Sequence, residues 1–232
     1  MGALAVLLLL FIVAVGAPVI ATQDPTFVDG RNRFAAPSVE HLFGTEDLGR
    51  DIFSRIVHGA RISLLVGFAS VLLSSTAALL IGVTSAHYGG KIDLAVQRVV
   101  DITMVFPMLI LALVISAVLG TSLWNVILAI GIAQTPRQSR VLRSAALQIR
   151  EITYIEAARA VGCSDLRIIL RHMVPNTMAP FLILVTATVG AAIIIEASLS
   201  FLGMGVPEPT PSWGRMLNGA TRYAEVAPWM VI

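Results

Sequence analysis

The sequence predicts an all-α integral membrane protein folded as a single domain, 1–232, and three observations carry that prediction. Of its 232 residues, 56% are hydrophobic and 13% are charged, against about 25% charged for a soluble domain. The mean hydropathy is +0.85. Five apolar segments recur, at about 4 to 22, 62 to 86, 99 to 119, 122 to 136 and 179 to 203, most of them close to the roughly 20 residues that cross a bilayer as a helix. In lipid a helix lets a backbone satisfy its own N–H and C=O groups, so each segment is predicted to be helical.

The first segment starts almost at Met1, and the VIA before Thr22 also fits a signal-peptide cleavage site. A signal would carry basic residues before the apolar run, and none stands there, so an uncleaved span is preferred. Residues 22–61 then form a loop with an amphipathic helix, in which Ile52, Phe53, Ile56, Val57 and Ala60 share an apolar face and Asp51 can pair with Arg55. Pro107 is expected to kink the third span, because it has no N–H to donate. The fourth span is short, but LWNVILAIGIAQ carries no charge. Beyond the fifth, the loop 204–224 contains PEPTPSW, whose prolines stiffen it and whose Trp213 suits the headgroup zone. The closing EVAPWMVI reads as the opening of a sixth span cut short, which would make the chain truncated.

Residues 137–178 hold Arg137, Arg140, Arg143, Arg150, Arg159, Arg167 and Arg171, the richest basic run in the chain. The positive-inside rule places that run in the cytosol, with Lys91 and Arg98, and puts 22–61 and 204–224 outside. The outer loop carries arginines of its own, so the count by itself leaves the orientation open. Within the basic run, YIEAARAVGCSDLRIILRHMVPN (Tyr154 to Asn176) reads as a helix from Thr153 to Val161, a turn, and a helix from Asp165 to Met173. Gly162 suits the left-handed position past a helix end, and Ser164 suits the next N-cap, with Asp165 in the first turn. Pro175 should end the second helix. Leu166, Ile169, Leu170 and Met173 fall on one face and Arg167 with Arg171 on another, while Ala157, Ala158 and Val161 offer small residues to a partner. Such a hairpin fits an anchor on anionic lipid and a docking element equally.

EAARAVG followed by HMVP resembles the EAA loop of ABC-importer permeases. Glu156, Ala157, Ala158, Gly162 and Pro175 match its pattern, and His172 and Val174 replace its isoleucine and leucine. GTEDLGRDIFSRIVHGARISL, from Gly44, and EASLSFLGMGVPEPTPSWG, from Glu196, resemble signatures of the dipeptide, oligopeptide and nickel permeases. The resemblance implies a type I ABC importer transmembrane domain of about six transmembrane helices, the sixth truncated, with a cytosolic coupling helix, in a bacterial inner membrane. It implies alternating access and several partners: a second permease of similar fold, two ATP-binding subunits at the cytosolic face, an external substrate-binding protein, and lipid. Coupling to the ATPases would fall to Glu156, Ala157, Ala158, Gly162, Ser164, Asp165, Leu166 and Pro175. The outer gate or binding-protein docking would fall to Asp47, Gly49, Arg50, Asp51, Arg55, Arg61, Pro211 and Trp213. Peptide is the substrate the resemblance favours, with nickel or another small solute as the alternative.

Enzyme chemistry finds no foothold. His41, His58, His87 and His172 are scattered, without metal-ligand spacing, and there is no G-x-S-x-G elbow. No catalytic residue or metal site is expected, and a membrane hydrolase lacks a nucleophile with its base. AHYGGKID has Ser85 and Ile92 where a phosphate loop needs a glycine and a hydroxyl, so no cofactor is expected here and ATP and magnesium belong on the partner ATPases. One cysteine, Cys163, allows no internal disulfide, and a formal net charge of +2 with Lys91 as the one lysine gives no nucleic-acid surface. Glu196 lies in the fifth span with Ser198 and Ser200 after it. A carboxylate there must face the bundle interior, as a structural hydrogen-bond acceptor or as part of the pathway. Asp101 can reach Arg98 or interfacial water. An ion-coupled carrier using Glu196 and Asp101 is the rival reading.

Overall fold

The computed structural model describes residues 2–231, with side chains from residue 8 onward. Ile232, where the expected sixth span stops, lies outside the described residues. The elements run α1 (Gly2–Ile20), α2 (Ile52–Tyr88), α3 (Gly90–Met104), α4 (Met108–Leu119), α5 (Leu123–Arg150), α6 (Thr153–Ala160), α7 (Asp165–Ile168), α8 (Val174–Asn176), α9 (Met178–Phe201) and α10 (Trp213–Arg222). A π turn, Ile169–Met173, joins α7 to α8, and a 3-10 turn covers Pro228–Met230. Among the described residues there is no β-strand beyond an isolated Thr45–Asp51 bridge.

Several boundaries differ from those read off the sequence. The amphipathic helix expected inside the loop 22–61 is the first part of α2, which runs unbroken for 37 residues, because no proline or strained glycine interrupts it. The third span is broken rather than kinked: α3 and α4 meet at 91° around Val105 to Pro107. The fourth does not stop near residue 136 but passes through Pro136 to Arg150. The loop 204–224 contains α10, whose apolar and basic residues alternate at helical spacing. By length and composition α2 and α9 can each cross a membrane, and the bent pair makes up to three spans, fewer than the six expected. Arginines in the second half of α5 and the short apolar stretch Leu8–Ile20 account for part of that difference.

Contacts divide the chain into two compact units. One contains Met1–Phe68, Ile115–Ile127 and Ile193–Ile232, the other Ala69–Val114 and Leu128–Ala192. In the first, Ala14, Ala60 and Leu64 are buried against Leu10, Val13, Ile193 and Trp213. In the second, Ala78, Leu79, Val83 and Ala86 of α2 meet Leu142, Ala146 and Ile149 of α5, with Ile155, Ala158, Ile168, Ile169 and Met173 completing the core. Each isoleucine or leucine so buried contributes about 1.5 to 3 kcal/mol, so the segment after α5 is packed onto α2 and α5. Leu72, Ile183 and Ile194 remain more than half exposed, as lipid-facing helices require.

Candidate functional site

The helical hairpin after α5 forms as its sequence indicates at the turn and differs on its faces. Gly162 has φ 79. Its N–H bonds the Arg159 carbonyl at 2.9 Å, and the Cys163 N–H bonds the Ala158 carbonyl at 3.0 Å. This paired closure is the Schellman ending of a helix. A Cβ on Gly162 would meet nothing within 4 Å, so backbone conformation, not space, calls for glycine. Ser164 holds the N-cap position but makes no side-chain capping bond. Asp165 is held instead by His87, whose Nε2 lies 2.9 Å from Asp165 Oδ1.

The expected apolar face of Leu166, Ile169, Leu170 and Met173 is split. Ile169 and Met173 are buried, together with Ile168, while Leu166 and Leu170 are 65% and 54% exposed. The π turn over Ile169–Met173 shifts the helical phase, and it also lets the chain pass Pro175, which does not end the helix as expected. Ala158 belongs to the core, whereas Glu156, Ala157 and Val161 are exposed. The solvent-facing side therefore presents Val161, Leu166 and Leu170 beside Arg159, Arg167 and Arg171.

The outer set gathers around partners that periodicity did not reveal. Asp51 does not pair with Arg55. It stands 3.0 Å from His41 Nδ1 and accepts the Ser54 N–H at 2.8 Å, capping α2. Arg55, 1% exposed, reaches Glu46 at 3.3 Å and the Pro25 carbonyl at 3.0 Å. Arg50 pairs with Glu46 and, at 3.3 Å, with Glu208, which lies 3.8 Å from Arg215. Burial pushes the Glu208 carboxyl up, but the Arg50 hydrogen bond and the charges of Arg50, Arg215 and Arg55 hold it below its ordinary value. Gly49 has φ +75, and a Cβ there would stand 1.8 Å from the Asp29 carbonyl oxygen. Asp47 lines the same cavity as Arg50 and Arg55. Arg61 and Pro211 lie elsewhere, around a hollow with His58. Trp213 docks on α2, with its Nε1 donating to the Ile56 carbonyl at 3.0 Å and its ring facing Gly59.

Glu196 is fully buried and accepts hydrogen bonds from Ser63 and Ser200, each at 2.8 Å. Ser63 was not among the expected partners; it is a small polar residue on an apolar helix, a weak signal by itself. Ser198 turns away and bonds the Ile194 carbonyl. Asp101 pairs with Arg140 of α5 rather than with Arg98. Among the described residues no group of three or more His, Cys, Asp or Glu could hold a metal.

Helices with exposed apolar surfaces, a buried carboxylate, Glu196, hydrogen-bonded to two serines, and a short hairpin with a basic exposed side have the make-up of a membrane transport subunit. The model for the binding-protein-dependent transport system inner membrane component matches residues 78–232, and the chain belongs to that family, an all-helical type I ABC importer membrane domain. It is 42% identical to the dipeptide transport system permease protein DppC of Alkalihalophilus pseudofirmus, over 95% of this chain and 73% of the relative. A putative peptide transport system permease protein of Brucella suis is 43% identical over 99% and 77%. The glutathione transport system permease protein GsiD of Escherichia coli is 40% identical over 97% and 75%.

Proposed function

We propose that this chain forms half of the translocation pathway of an ATP-driven importer of short peptides and works by alternating access with a second permease. The hairpin carries the reading. Its buried side fixes it to α2 and α5, and its exposed side offers apolar Leu166 and Leu170 beside Arg167 and Arg171, a surface suited to a protein cleft. Two ATPase subunits would bind there, with Glu156, Ala157, Gly162 and Asp165 shaping the contact and Pro175 linking it to α9. An external binding protein would dock on the side of Asp47 to Arg55. ATP and magnesium would reside on the ATPases, and none of the chemistry would be performed by this chain. The names of the relatives, which include dipeptide and glutathione permeases, support peptide as cargo.

Reconstitution tests this reading. The purified complex should hydrolyse ATP in a vanadate-sensitive manner, faster when the external binding protein is added, and should accumulate labelled dipeptide in vesicles. Uptake driven by a proton gradient without ATP would overturn it. Tight binding of a metal ion, and not of peptides, by the external protein would replace the cargo while leaving the importer.

A further inference from the structure

α10 carries Arg215, Gly219 and Arg222 at i, i+4 and i+7, along one helix face. All three line one cavity of about 370 Å³, whose other walls are the turn at Ser200 to Gly203 and the buried Glu46, Arg50 and Arg55. The volume falls within the range of small-molecule sites. Both glycines leave space, since a Cβ at Gly203 or at Gly219 would meet nothing within 4 Å.

The charges around that space do not balance. Four arginines, at 50, 55, 215 and 222, face three carboxylates, Glu46, Asp47 and Glu208. Glu46 is occupied by Arg50 and Arg55, and Glu208 by Arg50 and Arg215. Arg222, which is exposed to solvent, enters no ion pair among the described residues. The Nε of Arg215 is buried without a hydrogen-bond partner, whereas the Nε of Arg55 lies 3.3 Å from Glu46 Oε2, an ion pair already made. A buried charged donor without a hydrogen bond is costly, and the Arg215 guanidinium has only the 3.8 Å pairing with Glu208 to offset it. A guanidinium fork matches the two oxygens of a carboxylate, and one positive charge in excess suits a monoanion.

We propose that this cavity binds a carboxylate, with Arg222 and Arg215 as donors above the open floor at Gly219. The identity of the occupant, the free C-terminal carboxylate of a short peptide, rests on the peptide-importer reading above. Ser200, which lines the cavity, also donates to Glu196, so the occupied site would adjoin the buried carboxylate of α9.

The chain with its co-purifying subunits, in lipid nanodiscs and without the external binding protein, is titrated calorimetrically with dialanine, dialanine C-terminal amide, acetate and inorganic phosphate. Saturable binding of dialanine is expected, with the amide at least tenfold weaker and acetate preferred to phosphate. Arg222→Gln and Gly219→Leu, the second of which fills the space without removing a charge, should each weaken dialanine at least tenfold while the melting temperature holds. Absence of saturable carboxylate binding, equal binding of the amide, or indifference to both substitutions overturns the site, even where vesicle uptake of dipeptide is intact and the importer reading stands. Arg222-dependent binding of acetate, in vesicles that take up no dipeptide, supports the site and removes the peptide reading instead.

Discussion

At the scale of single residues, the fold depends on a few positions where one side chain alone satisfies the geometry. Gly49 is one, with its left-handed backbone and the Asp29 carbonyl 1.8 Å from where a Cβ would stand. Gly49→Ala should destabilise the loop by about 1 to 3 kcal/mol, read as a lower melting temperature in detergent; an unchanged melting curve would show that the loop relaxes freely. Glu196 is another, buried and held by Ser63 and Ser200. Ser63→Ala removes one donor from a buried carboxylate and should cost about 1 to 3 kcal/mol. Glu196→Gln in the Ser63→Ala background should recover part of that loss, because the neutral amide is less costly to bury. No recovery would mean that the serine acts through packing and not through the carboxylate.

At the scale of elements, the hairpin α6 to α8 turns on Gly162. In Gly162→Val a β-branched residue would have to adopt positive φ, and the strain, about 1 to 3 kcal/mol, falls on the turn while the core of α2 and α5 keeps its contacts. The variant should insert with at most a modest loss in melting temperature but lose ATP-dependent uptake, with weaker copurification of the ATPases. Wild-type uptake and assembly would return the hairpin to the role of a lipid anchor, since Leu166 and Leu170 are unaltered. The turn was legible because Gly, Ser and Asp in order have distinct local roles. The faces were legible only in part: a π turn offsets the residues after Ile168, which periodicity counting over an unbroken α-helix does not anticipate, and Leu166, before that turn, stands on the exposed side.

At the scale of the whole molecule, we propose that the basic run 137–178 faces the cytosol, and Cys163, the single cysteine, reports on it. Cys163 is half-buried, so a small membrane-impermeant thiol reagent should label it in inverted vesicles and miss it in intact cells. Labelling of intact cells would reverse the orientation. By itself the sequence determined the helical class, the membrane setting and the family, because apolar runs of spanning length and three local motifs survive without knowledge of contacts. The Gly162 turn was likewise local. Only the tertiary structure decided which polar side chains meet: Asp51 with His41, Asp165 with His87, Asp101 with Arg140, and Arg50 with Glu208. It also decided that α2 runs on through the expected loop helix and that α3 and α4 part at a sharp bend. For the side-chain contacts the physical reason is a common one. Hydrophobic periodicity reports which side of a helix leaves water, whereas a tertiary polar contact such as Asp101–Arg140 or Arg50–Glu208 joins residues far apart in the chain, and nothing in either residue's neighbourhood encodes the other.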